Sequence, residues 1–295
     1  MKQTVFTGAG VAIITPMFED GSINYDELGR MIEDQIAGGT DSIIICGTTG
    51  EASTMPDEEH LDCIEYAVKK TAGRIPVIAG TGSNDTRHAV ALSCEAVRRG
   101  ADALLQVTPY YNKTNQAGLI RHFTAVADVA GVPILLYNVP SRTGMNIAPA
   151  TCLELSKHPM IVGIKEASGN ISQVAQIHQL CGDDLAIYSG NDDQIIPILA
   201  LGGKGVISVL SNVAPRKTHE ICQLWFEGKT KESLALQMEM LPLCSALFCD
   251  VNPIPVKAAM NLLGYKAGSC RMPLGELSAD KAELLRTQLQ QHGLL

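Results

Sequence analysis

The sequence predicts an α/β protein, a (β/α)8 TIM barrel with a C-terminal helical extension. Eight short apolar or β-branched runs recur at even spacing, helix-like segments lie between them, and after Val209 only helical segments follow. Continuous apolar runs, unlike alternating ones, belong to parallel sheets covered on both faces. A doubly wound open sheet is the competing arrangement, and eight evenly spaced units favour closure. At 295 residues and 46% hydrophobic, the chain suits one barrel with an appendage. The reading divides it into a catalytic barrel at 1–228 and an extension at 229–295.

In chain order, strands are expected at 10–15, 42–46, 76–79, 103–107, 133–137, 161–165, 186–189 and 205–208. Helices are expected between them at 25–38, 56–72, 86–100, 118–130, 148–157, 171–181 and 193–201. Asn24 and the pair Asn84-Asp85 supply side-chain acceptors for helix starts, and Gly38-Gly39, Gly73 and Gly100 mark stops. From about Pro215 onward the reading is an eighth barrel helix and then the extension, with breaks at Pro242, Pro253-Ile254-Pro255, Gly264 and Pro273.

Composition excludes several classes. The net charge is −8 with no lysine or arginine run, which argues against nucleic acid or an anionic membrane as partner. No stretch of 18 apolar residues occurs, and Met1-Lys2-Gln3-Thr4 runs straight toward the first strand, so a soluble cytoplasmic protein is expected. The nine cysteines form no Cys-x-x-Cys pair and the seven histidines no metal-binding cluster. No metal and no cofactor are expected.

In this fold, chemistry sits at the carboxyl ends of the strands. The sixth run, Ile161-Val162-Gly163-Ile164-Lys165, ends in a lysine that alternation places on the face of Ile161 and Gly163. Burial disfavours the charged form of an amine, so such a lysine becomes a nucleophile able to form a Schiff base. The plainer alternative is a lysine snorkelling to solvent. The other strand ends weigh against that alternative. After the second strand, Gly47-Thr48-Thr49-Gly50-Glu51 offers two hydroxyls and several backbone N–H groups, a nest for a carboxylate. The fourth strand is followed by Tyr110-Tyr111, of which one can face the mouth and the other a subunit contact. Tyr137 ends the fifth strand, level with Lys165 and suited to moving protons, and Arg142 follows with a bidentate grip for a carboxylate. Asp192-Asp193 reads as capping of a helix start rather than a metal site, and Gly202-Gly203-Lys204-Gly205 as a turn. Together these residues point to imine chemistry on an anionic keto acid.

Gly47-Thr48-Thr49-Gly50-Glu51, the segment Tyr137 to Gly144, and Gly163-Ile164-Lys165-Glu166-Ala167-Ser168-Gly169 resemble the pyruvate-dependent class I aldolase superfamily, and within it the dihydrodipicolinate synthase family. The resemblance implies condensation of pyruvate with L-aspartate 4-semialdehyde on the route to lysine through diaminopimelate. It implies that Lys165 forms the Schiff base and that Tyr137, Thr48 and Tyr111 relay protons, Tyr111 from a neighbouring subunit. Thr49 would bind the pyruvate carboxylate, Arg142 the carboxylate of the second substrate, and Gly190 and Ile207 would shape the pocket through their backbones. A homotetramer of two tight dimers is expected. The N-acetylneuraminate lyase family is the alternative within the superfamily, but it usually has Gly-Ser-Thr-Gly-Glu in the first motif and lacks an arginine at position 142. Other pyruvate aldolases stay open, as does, from a different class, a keto-acid-binding barrel without turnover. In lysine-inhibited relatives a regulatory site falls at positions matching Ala52, Ser53, Asp57, His60, Asn84, His88 and Tyr110. Here His88 stands where those relatives have a glutamate, so weak or absent inhibition by lysine is expected.

Overall fold

The computed structural model describes residues 2–295. Eight parallel strands close into a barrel in sequence order: β1 (Gly8–Ala12), β2 (Ser42–Ile45), β3 (Val77–Gly80), β4 (Ala103–Val107), β5 (Ile134–Asn138), β6 (Ile161–Glu166), β7 (Ala186–Ser189) and β8 (Gly205–Ser208). Closure between β1 and β8 demands glycine. A Cβ on Gly205, whose φ is +149°, would lie 1.8 Å from the Gly8 carbonyl oxygen.

The helices in chain order are α1 (Tyr25–Ala37), α2 (Asp57–Thr71), α3 (Thr86–Arg98), α4 (Gln116–Ala130), α5 (Pro140–Thr143), α6 (Pro149–Leu155), α7 (Ile171–Cys181), α8 (Ile195–Ala200), α9 (Pro215–Phe226), α10 (Thr230–Leu247), α11 (Ile254–Leu262) and α12 (Ala279–Gln291). Asn24 accepts the Glu27 N–H at the start of α1, and Asp85 accepts the Arg87 N–H at the start of α3. Asn115 and Asn170 do the same for α4 and α7.

Apolar residues pack in two layers. The larger lies between strands and helices, where Ile43 and Ile45 of β2 are fully buried. The smaller fills the lumen with Ile44, Ile78, Leu105, Leu135, Tyr188 and Ile207. Each such isoleucine contributes about 1.5–3 kcal/mol by burial. At the amino-terminal end Phe6 stacks on Tyr188 at 4.5 Å, and the Tyr188 hydroxyl donates to the Phe6 carbonyl at 2.6 Å. That plug leaves the opposite end open.

Four local expectations are corrected. β1 ends at Ala12, not residue 15, because Asn212 takes over beyond it, donating to Ala12 O and accepting from Ile14 N. Pro242 does not break the chain but sits inside α10. It lies on the solvent face, while Met240, Leu243, Cys244 and Leu247 hold the other face in the core. The seventh segment opens as a 3-10 turn, Asp192–Gln194, before α8. Asp192 caps a different loop from the one expected: its Oδ2 accepts the backbone N–H groups of Val209 and Leu210 after β8.

Candidate active site

Lys165 ends up facing the lumen because β6 is not regular. Ile134 pairs with Ile161 and the next residue, Leu135, pairs with Gly163, so Val162 is an extra residue in a bulge. Ile161 and Ile164 therefore pack outward while Gly163 approaches the luminal Leu135 and Tyr188. Lys165 shares a face with Gly163 as expected, but not with Ile161. In register beside it stand Tyr137 on β5 and Tyr188 on β7. Lys165 is 6% exposed, and its Nζ lies 4.3 Å from the centroid of the Tyr137 ring. Among the described residues no carboxylate pairs with it. Gly190 leans on its stem: a Cβ there would sit 3.2 Å from Lys165 Cγ and Cε and 2.6 Å from Ala167 Cβ. Ile207 is fully buried in the lumen across from it.

At the end of β6, Glu166 is buried among neutral donors: Asn138 Nδ2 at 3.0 Å, the Ser168 N–H at 2.8 Å and Gln173 Nε2 at 3.3 Å. Those bonds fasten the residue next to the lysine. Asp192 is also fully buried, and burial raises its carboxyl above the usual range, against the lowering effect of Ser208, the two N–H donors and Lys165.

The loop after β2 is strained. Cys46 and Glu51 bracket it with φ of +53° and +60°. Among the described residues, four of the five non-glycine positions with positive φ lie in this loop and in the one after β4, where Tyr111 and Lys113 adopt +66° and +53°. Thr48 is exposed, whereas Thr49 is buried and its Oγ1 accepts from Asn252 Nδ2 at 3.0 Å. Glu51 is fastened from the extension: Lys257 Nζ pairs with its Oε1 at 2.6 Å, both side chains being buried, and the Arg271 N–H donates to its Oε2 at 2.8 Å.

Arg142 is carried by the one-turn α5, in a segment where no helix is expected from the sequence, and its Nη2 donates to the Asn252 carbonyl at 3.2 Å. Tyr111 is 91% exposed.

A cavity of about 390 Å³ joins Thr48, Tyr137 and Arg142 to Ala52, Ser53, Asp57, His60, His88 and Tyr110. Three of the expected catalytic and substrate-binding residues and six of the seven expected regulatory positions thus border one continuous space. Lys165, Thr49, Gly190, Ile207, Tyr111 and Asn84 do not line it. Asn84 meets the Tyr110 loop instead, its carbonyl accepting from Asn112 at 2.9 Å. His88 is held between Ser83 Oγ and Asp57 Oδ1, each at 3.0 Å. His60 lies 2.8 Å from the Gly80 carbonyl, and burial lowers its pKa. A carbonyl only accepts, so Nε2 of a neutral His60 carries the proton.

Two parts of this arrangement escaped the sequence reading. Asn252 gave no local signal. Lys257 gave a faint one: a lone cation within Ile254-Pro255-Val256-Lys257-Ala258-Ala259-Met260 needs a buried partner.

An amine at the end of a TIM-barrel strand against a tyrosine ring, with hydroxyls and a guanidinium across the mouth, is the arrangement of a Schiff-base-forming barrel enzyme. The particular family follows from comparison. Residues 5–292 match the model of the dihydrodipicolinate synthetase family, and the chain belongs to that family. It is 56% identical to the 4-hydroxy-tetrahydrodipicolinate synthase of Acetivibrio thermocellus, with all of both chains covered. Among solved structures it resembles the dihydrodipicolinate synthase of Acinetobacter baumannii, described as chloride-inhibited and complexed with pyruvate, at a TM-score of 0.97 and 40% identity, covering 99% of this chain and 100% of that one. It also resembles the enzyme of Cyanidioschyzon merolae with lysine bound, at a TM-score of 0.96 and 36% identity over 99% and 100%.

Proposed function

We propose that this chain acts as its curated relatives are named, as a 4-hydroxy-tetrahydrodipicolinate synthase that condenses pyruvate with L-aspartate 4-semialdehyde in lysine biosynthesis through diaminopimelate. The observation that carries the reading is the buried Lys165 with Tyr137 beside it in register. Lys165 Nζ adds to the keto carbon of pyruvate, and loss of water gives an iminium. That cation is an electron sink, so a methyl proton leaves and the resulting enamine carbon attacks the aldehyde. Tyr137, Thr48 and Tyr111 relay the protons. Thr49 receives the pyruvate carboxylate and Arg142 the carboxylate of the semialdehyde, while Gly190 and Ile207 set the walls.

Tyr111 is assigned to the site of a neighbouring copy, in a cytoplasmic homotetramer. Its near-complete exposure and left-handed backbone support a side chain held outward for a partner. The division at 228/229 separates the catalytic barrel from an extension that fastens the mouth.

The positions Ala52, Ser53, Asp57, His60, Asn84, His88 and Tyr110 form a regulatory site that binds lysine weakly or not at all. Where lysine-inhibited relatives are expected to have a glutamate this chain has His88, which offers an ammonium no carboxylate, and His88 also takes up Oδ1 of the nearby Asp57. Titrating activity with lysine at millimolar concentration should leave most of it; strong inhibition would contradict this assignment. The function itself is tested by offering pyruvate with aspartate semialdehyde, and separately N-acetylneuraminate. Turnover of the first pair alone is expected, and cleavage of the sialic acid instead would overturn the reading.

A further inference from the structure

Asn252 lies in the crossing from α10 to α11 and touches both groups assigned above to the two substrate carboxylates. Its Nδ2 donates to Thr49 Oγ1 at 3.0 Å, and its backbone carbonyl accepts from Arg142 Nη2 at 3.2 Å. The residue is 6% exposed, and its Oδ1 is buried with no partner among the described residues. Thr49 is 3% exposed, and its hydroxyl donates to no acceptor among the described residues.

A hydroxyl has one proton to give and two lone pairs to receive. An N–H directed into Thr49 Oγ1 occupies a lone pair and turns the hydroxyl proton outward. A buried hydroxyl with its donor unspent, beside a carbonyl that holds a guanidinium, is an anion receptor set in advance. Only the Arg142 contact uses the backbone of Asn252; the Thr49 contact depends on its side chain.

We propose that Asn252 is a positioning residue: its carboxamide fixes Thr49 as a hydrogen-bond donor toward the pyruvate carboxylate, and its backbone ties that donor to Arg142. The proposal rests on the reading that Thr49 binds that carboxylate. It makes the extension, through one residue, part of the site's recognition of the keto acid.

The test is steady-state kinetics on the full-length enzyme with Asn252→Ala, Asn252→Asp, Thr49→Val and the double variant Thr49→Val/Asn252→Ala. KM is independent of the fraction of folded enzyme, so partial unfolding does not imitate the effect. Asn252→Ala should raise KM for pyruvate about tenfold with kcat within about threefold. Asn252→Asp, though isosteric, should do at least as much, because a carboxylate takes the Thr49 proton for itself and repels the anion. In the Thr49→Val background, Asn252→Ala should add less than about twofold, since the two act as one unit. An unchanged KM in Asn252→Ala, recovery in Asn252→Asp, or effects that multiply in the double variant would each overturn the role of Asn252 while leaving Thr49 in place. A normal KM in Thr49→Val would overturn the assignment of Thr49 and the proposal with it.

Discussion

The two sides of the barrel mouth are held by different means. On one side, Tyr137 and Lys165 sit on neighbouring strands in register, and their relative position is a property of the sheet. On the other, Thr48 and Thr49 lie in a turn bracketed by two left-handed residues, and contacts from the extension hold them. A nucleophile needs one fixed height and direction, which a strand gives directly. The anion receptor proposed at Thr49 needs converging donors, which a strand cannot present; the loop that carries it is strained and held by residues about 200 positions away.

Breaking one side should therefore differ in kind from breaking the other. Lys257→Met leaves Glu51 buried without its cation, and urea denaturation should show a loss of about 3–5 kcal/mol. Replacing both, as Lys257→Met with Glu51→Leu, should recover part of that stability. Equal losses in the single and double variants would show that the pair is not what fastens the loop. On the strand side, Gly190→Val should act on turnover with a smaller effect on stability. The added side chain displaces the Lys165 stem, and a shift near 1 Å in a reacting group lowers kcat about 10²-fold. A fully active Gly190→Val variant would show that the lysine tolerates displacement.

The smallest effect concerns His60, behind the loop. Burial lowers its pKa, so the folded state keeps it neutral while the unfolded chain binds a proton near pH 6.5. Its contribution is complete above that pH and is lost as pH falls below it. Between pH 7.5 and 5.5, unfolding free energy should drop more in the wild type than in His60→Gln. Identical pH dependence would place the ring in water-like surroundings.

The same contrast explains what was legible in the sequence. Ile43-Ile44-Ile45 and Ile161 to Ile164 announce strands because burial on both faces leaves no polar position within them. Thr48, Thr49, Tyr137, Arg142 and Lys165 could be singled out as candidates because this fold gathers its loops at the carboxyl ends of the strands. The bulge at Val162 was not readable: nothing in the four residues Ile161 to Ile164 tells which one is extra. Pro242 was misread because a proline on the solvent face of a helix costs less than one in its core-facing turn. Asn252 stayed hidden because its partners, Thr49 and Arg142, lie 203 and 110 residues away and no local pattern encodes them.

The central claim is that Lys165 is the residue on which the chemistry is done. The most direct measurement is to incubate the enzyme with pyruvate, reduce with borohydride and locate the added mass by peptide sequencing, with Lys165→Ala as the control. A reduced pyruvyl adduct on Lys165, absent from the variant together with essentially all turnover, is the predicted result. An adduct on another lysine, or full turnover by Lys165→Ala, would contradict the account.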